Sequence, residues 1–219
     1  PRLDAKTFES NLGRLEGIKN AQIGIISLDD DLDVETVSEI FIRINSKGVP
    51  LSSADFAMSK IATYGDRGRN LRKLIDYFCH LAVAPHAFAD IKGNDHEFAA
   101  TPYLKAISWL KDESEDLYDP EYSDIIRVAG LTGFNRGKAS SIVSELSGRD
   151  PETHKVDEAL IPLAYDKLES ALLRIVNNYH FDNFLMLIKS AGFISPGMVN
   201  SKNALNFAYA LYLRLREDK

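Results

Sequence analysis

The chain has 219 residues, 45% of them apolar and 26% charged, with a formal net charge of −6 and a pI of about 5.4. That length can bury a sizeable core, and the acidic balance excludes nucleic-acid binding through the bulk field, so any DNA or RNA contact needs a local basic patch. Cys79 is the only cysteine, which rules out an intrachain disulfide and fits a reducing, cytoplasmic setting; no apolar run reaches the ~18 to 20 residues of a membrane span, and no signal-peptide pattern opens the chain.

Residues 6–19 read as a first helix, with Phe8, Leu12 and Leu15 at helical spacing and Gly17 weakening its end. "AQIGIISL" follows, and its isoleucines predict one short strand over 22–28, the only one in the chain. A lone strand needs a partner for its backbone donors and acceptors. The acidic run "DDDLD" suits a solvated helix entrance, and it lacks the alternating ligands and central glycine of a calcium loop. Val34, Val37, Ile40, Phe41 and Ile44 form one apolar stripe, predicting a helix over 34–45 that Gly48 and Pro50 end. Ser52 and Asp55 have capping-box spacing for a following helix with Ala54, Ala57, Met58 and Ile61 on its inner face.

From there the pattern is helical almost throughout. "NLRKLIDYFCHLAV" is amphipathic, Thr101 and Pro102 predict an N-cap and first turn for "YLKAISWLKD", and further helices are expected near 122–132, 137–147, 158–178, 181–191 and 201–216. The acidic stretch within 112–124 reads as an exposed connector and predicts two lobes, 1–111 and 112–219. The expected fold class is therefore mainly α, a multi-helix bundle with one short strand near the N-terminus.

Hydrolytic and metal motifs are missing. No HExxH, CxxC, GxxxxGK[ST] or GxSxG occurs, and the five histidines share no metal-ligand spacing, so no catalytic or metal residue is assigned. Two stretches suit phosphate contact. "DRGRNLRK" carries Arg67, Arg69, Arg72 and Lys73, and "LTGFNRGKASSIV" adds Arg136 and Lys138. A solvated helix start also explains the first. The second has the outline of a helix-hairpin-helix motif, but Gly133 and Gly137 stand four apart rather than two, so it reads as an ordinary loop between helices.

"EIFIRINSKGVPLSSADFAMSKIA" resembles the F-x-R-x-N-s-x-G-x-x-L-s segment of the family catalogued as domain of unknown function 262, which includes the amino-terminal part of GmrSD-type, modification-dependent restriction enzymes. "GFNRGKASSIVSELSGRD" and "IKSAGFISPGMVNSKNALNFAYALYLRLRE" are similar to the later helical portion of such proteins. The resemblance implies a ParB/sulfiredoxin-like α/β core with an Asp-Gly-Gln-Gln-Arg motif for nucleotide binding and hydrolysis, followed by a helical extension. Gln22 is the only glutamine, so that motif cannot be present. The chain is expected to be the helical extension of a longer protein, with the strand left over from a truncated core. An HNH-type nuclease domain or subunit and DNA are the further partners implied. A nucleoside triphosphate and a divalent metal belong to the full-length protein, with no cofactor expected in this part. Phe41, Arg43 and Asn45 occupy the family's F-x-R-x-N positions. The resemblance assigns Arg43 and Asn45 to the nucleotide site; the alternative pairs Arg43 with Glu39 and lets Asn45 cap its helix. A helical protein-interaction scaffold with no nucleic-acid role is the competing functional expectation.

Overall fold

A computed structural model of the chain describes residues 5–20, 25, 27–28, 32, 36–37, 40, 52–112, 117–150, 153 and 155–216. Among them the fold is mainly α, with eleven helices and no sheet. The expected strand is a correction. Ile25, Ser27 and Leu28 are not in strand conformation, the rest of 22–28 lies outside the described residues, and Ile25 is 87% exposed. An isoleucine-rich run becomes a strand only beside a ladder partner, and none is present among the described residues. Thr36, Val37 and Ile40 are helical, as their stripe predicts; Arg43 and Asn45 lie outside the described residues.

The chain divides into two compact units, Pro1–Leu32 and Asp33–Lys219. The boundary expected within 112–124 falls inside the second, because the helices before it and those after it share one core. The first unit contains α1 (Ala5–Gly17), which runs into a 3-10 turn over Ile18–Asn20. The second holds α2 (Ser53–Ala62), α3 (Gly65–Val83), α4 (Phe88–Asn94), α5 (His96–Ala99), α6 (Pro102–Ala106), α7 (Tyr122–Phe134), α8 (Ala139–Leu146), α9 (Leu160–Ile175), α10 (Asn178–Ser190) and α11 (Lys202–Leu215).

α7 is the hub of the second unit, packing on α11, α9, α2, α8 and α3. Its start is fixed locally. The Glu121 N–H donates to Asp124 Oδ2 at 2.9 Å in a capping box, and Asn135 closes the other end in the left-handed conformation at φ 57°. Between them Ile125, Ile126, Val128 and Ala129 are buried, so α7 is apolar on nearly every side, as a central helix must be.

α11 runs parallel to α7 and is pinned to it at both ends. Lys202 pairs with Glu121 at 2.7 Å near the two starts, and Arg214 donates to Leu131 O and to Asn135 Oδ1 near the two ends. Between these clamps lies a buried polar chain. The Tyr118 hydroxyl donates to Asn206 Oδ1 at 2.7 Å, and Asn206 Nδ2 donates to Asp124 Oδ1 at 2.7 Å. Asn206 is fully buried and Asp124 nearly so. Around them Tyr118, Phe181, Phe184 and Tyr209 form an aromatic cluster with ring centroids 4.6 to 6.3 Å apart.

The capping box expected at Ser52 is present. Asp55 N donates to Ser52 Oγ at 3.2 Å, and Ser52 N donates to Asp55 Oδ2 at 2.7 Å. Thr101 does occupy an N-cap position before Pro102, but its hydroxyl donates backward to Phe98 O at 2.7 Å instead of capping α6. "YLKAISWLKD" divides into α6 and a 3-10 turn over Ser108–Asp112, where Trp109 Nε1 reaches Val176 O at 3.0 Å. Close approach requires glycine at Gly68, Gly130 and Gly148. A Cβ on Gly130 would stand 2.6 Å from Arg136 O, and one on Gly148, at φ 78°, 2.5 Å from Asp157 O.

Asn206→Ala should destabilise the protein strongly, since it leaves Tyr118 without its acceptor and removes a donor from Asp124. The expected loss is about 3 kcal/mol by urea denaturation followed through Trp109 fluorescence, against under ~0.5 kcal/mol for the exposed Asn203→Ala. Equal losses for the two variants would show that the polar chain contributes nothing to stability.

Candidate functional site

A cavity of about 250 Å³ opens where the first turns of α2, α7 and α8 meet. Its polar wall consists of Ser53 from α2, Ser123 and Arg127 from α7, and Gly137, Lys138 and Ser140 at the start of α8. Each element arrives there for a local reason. The Tyr122 hydroxyl donates to Asp55 Oδ1 at 2.6 Å, tying the first turn of α7 to that of α2. The same bond is the main reason the Asp55 carboxyl is held below its usual pKa. Arg136 N donates to Gly130 O at 2.9 Å, and the missing Cβ of Gly130 lets this loop lie against α7, which delivers Lys138 to the cavity rim.

The electrostatics of the three helix starts differ. α2 and α7 carry their own carboxylates in capping boxes. α8 has Lys138 at its N-cap position and no side-chain cap. A cation there opposes the helix dipole, and the first amides of the helix lack a side-chain acceptor. Arg127 adds to the imbalance. Among the described residues its Nε is buried without a hydrogen-bond partner, as is that of Arg149. Among the described residues no carboxylate lines the cavity. Two cations, three hydroxyls and uncapped amides form a donor set that an anion would satisfy, above all a phosphate with its several acceptor oxygens.

The basic residues singled out from the sequence have different surroundings. Arg67 is held by Asp166 at 2.7 Å and Glu169 at 2.5 Å, and Glu169 also accepts from the Tyr103 hydroxyl at 2.6 Å. Arg69 pairs with Asp66, Arg72 with Asp76 at 3.6 Å, and Lys73 with Asp95 at 2.7 Å. Arg136 faces Glu145 at 3.4 Å. Lys138 is the one of these residues that lines the cavity. Arg127 was missed because sequence reading scored clusters of charge. Its signal was the opposite, a solitary arginine inside the apolar run "DIIRVAG".

Comparison with models of protein families finds no match. Curated proteins and solved structures give none either.

Other reactive groups are placed without a partner chemistry. Burial pushes the Cys79 thiol well above its usual range, helped by the nearby carboxylates of Asp76, Asp124 and Glu121. Burial also lowers the pKa of His180, with Arg174 and Arg216 acting in the same direction. Among the described residues no group of three His, Cys, Asp or Glu side chains is placed to hold a metal ion, and no helix is long and apolar enough to cross a membrane.

Two outcomes follow. Cys79 is half-buried with its thiol pKa raised, so it should react with a thiol reagent more slowly in the native protein than in urea; equally fast native labelling would contradict the raised pKa. Asp95 tests the ion pairs. Burial works to raise its pKa, but Lys73, the Tyr77 hydroxyl and the Phe98 N–H outweigh burial and hold the carboxyl below its usual value. Its contribution to stability is therefore complete above the ordinary carboxylate range and disappears as pH falls through the folded value. Asp95→Asn should lower stability at neutral pH and match the wild type at about pH 2. A constant difference across that range would contradict the assignment.

Proposed function

We propose that this chain is the non-catalytic helical part of a GmrSD-like, nucleotide-dependent DNA-restriction protein, and that it binds a phosphate-bearing ligand in the cavity between α2, α7 and α8. The observation that carries the phosphate reading is Arg127, whose buried Nε has no partner among the described residues, in a cavity whose described lining includes Lys138 and three serines and no carboxylate. The sequence resemblance of "FIRIN" and the later helical segments supports the wider assignment. In that reading Arg43 and Asn45 face a nucleotide held by a ParB/sulfiredoxin-like core, and an HNH-type nuclease cuts the DNA in the cytoplasm. The helical part organises these partners and performs no hydrolysis itself. A divalent metal, where one is needed, belongs with the nucleotide. Arg127 and Lys138, which line the cavity, are the groups that support phosphate contact, to a nucleotide or to the DNA backbone.

Titration calorimetry with pyrophosphate, ATP and a short DNA duplex tests this reading. Wild-type protein should bind at least one of the three, and Arg127→Met should weaken that binding about ten- to a hundredfold, the size of one lost charge-assisted contact. The variant's unfolding midpoint should stay close to the wild type, because the Arg127 Nε has no hydrogen-bond partner among the described residues to lose. Binding that Arg127→Met leaves unchanged would refute the cavity as the site. Absence of binding by all three ligands would favour the protein-interaction scaffold.

A further inference from the structure

α11 is apolar on both faces. Leu205, Tyr209, Tyr212 and Leu213 are buried on the inner side, while Phe207, Leu211 and Leu215 line the outer side at 59%, 49% and 65% exposure. A helix apolar all round is normally covered all round. Beside the outer stripe, α11 and the end of α7 form a groove of about 300 Å³ lined by Leu131, Asn135, Phe207, Ala210, Leu211 and Arg214. We propose that this groove docks an amphipathic helix of another protein, one that carries carboxylates beside its apolar face.

Charge decides the occupant. Lys202, Arg214 and Arg216 are the charged residues of the span 202–216, so this stretch carries no acid in a chain of net charge −6. Lys202 is engaged by Glu121, whereas among the described residues Arg214 meets neutral acceptors, Leu131 O and Asn135 Oδ1. Arg214 is also the one charged residue among the described residues that line the groove. A carboxylate beside it would form the stronger, charge-assisted bond. A second copy of this face supplies the wrong charge. Antiparallel pairing sets Arg214 against Lys202, and parallel pairing sets it against itself. The concave groove suits a side-chain anchor at helical spacing better than a flat lipid surface does, and the protein's negative charge opposes an anionic membrane.

Fluorescence anisotropy of two labelled synthetic helices of about four turns provides the test. Both carry leucines at i, i+3 and i+7; one is flanked by glutamates and the other by lysines. The full chain should bind the glutamate peptide at least ~tenfold more tightly than the lysine peptide. Phe207→Ser and Leu211→Ser should each weaken binding by about tenfold with the unfolding midpoint retained, and Arg214→Gln should erase the preference between peptides. Equal affinity for both peptides, or no binding of either, overturns the proposal. So does binding to phosphatidylglycerol vesicles, or self-association in sedimentation velocity, that the same serine variants abolish.

Discussion

The carboxyl of Asp124 is the constraint around which the second unit is organised. It lies in the core and must find donors there, because a buried polar atom left unpaired costs about 1 to 3 kcal/mol. One donor is local, the Glu121 N–H that also starts α7. The other is Asn206, which belongs to α11 and itself accepts from Tyr118. Satisfying one carboxyl thus fixes the first turn of α7, the direction of α11 beside it and the approach of the connector that carries Tyr118. The parallel pairing of α7 and α11 is otherwise underdetermined, since apolar faces alone would tolerate rotation and slippage. The polar chain permits one register, and the clamps at Lys202 and Arg214 confirm it at either end.

This register has consequences for chemistry at the two ends of α7. With its start fixed, Tyr122 reaches Asp55, and α2 and α7 meet at an angle that leaves room for a cavity. α8 returns from the far end of α7 through a loop that presents Lys138 instead of an acidic cap. The positive ends of the helices, Arg127 and Lys138 then share a space with no carboxylate among its described lining residues. The cations of α3, by contrast, are each matched by a carboxylate. At the other end, Arg214 is used to close the α7–α11 pair with neutral acceptors, which leaves its charge available at the margin of an apolar groove.

Much of the helical framework was legible in the sequence because helix periodicity and capping are local. The Ser52–Asp55 box and the stripe of α3 each act within a few residues. The expected strand failed for the opposite reason, since strand formation depends on a distant partner that composition cannot supply. The division at 112–124 read acidity as separation, whereas Tyr118 in that connector is buried and bonded to Asn206. Charge clusters are no more local. Arg67, Arg69, Arg72 and Lys73 look like a patch when counted along the chain, yet their five carboxylates sit in three places: Asp166 and Glu169 on α9, Asp66 and Asp76 on α3, and Asp95 between α4 and α5. Arg127 gave no cluster signal, and its meaning depends on the cavity that three helices enclose.

The most direct measurement is a phosphate titration of the isotope-labelled protein followed by ¹H–¹⁵N NMR. The account predicts that the Arg127 Nε–H and the amides of Ala139 and Ser140 shift together along one saturating curve, while signals from Arg67, Arg69 and Arg72 stay in place. Shifts confined to the α3 cations, with Arg127 unmoved, would contradict it.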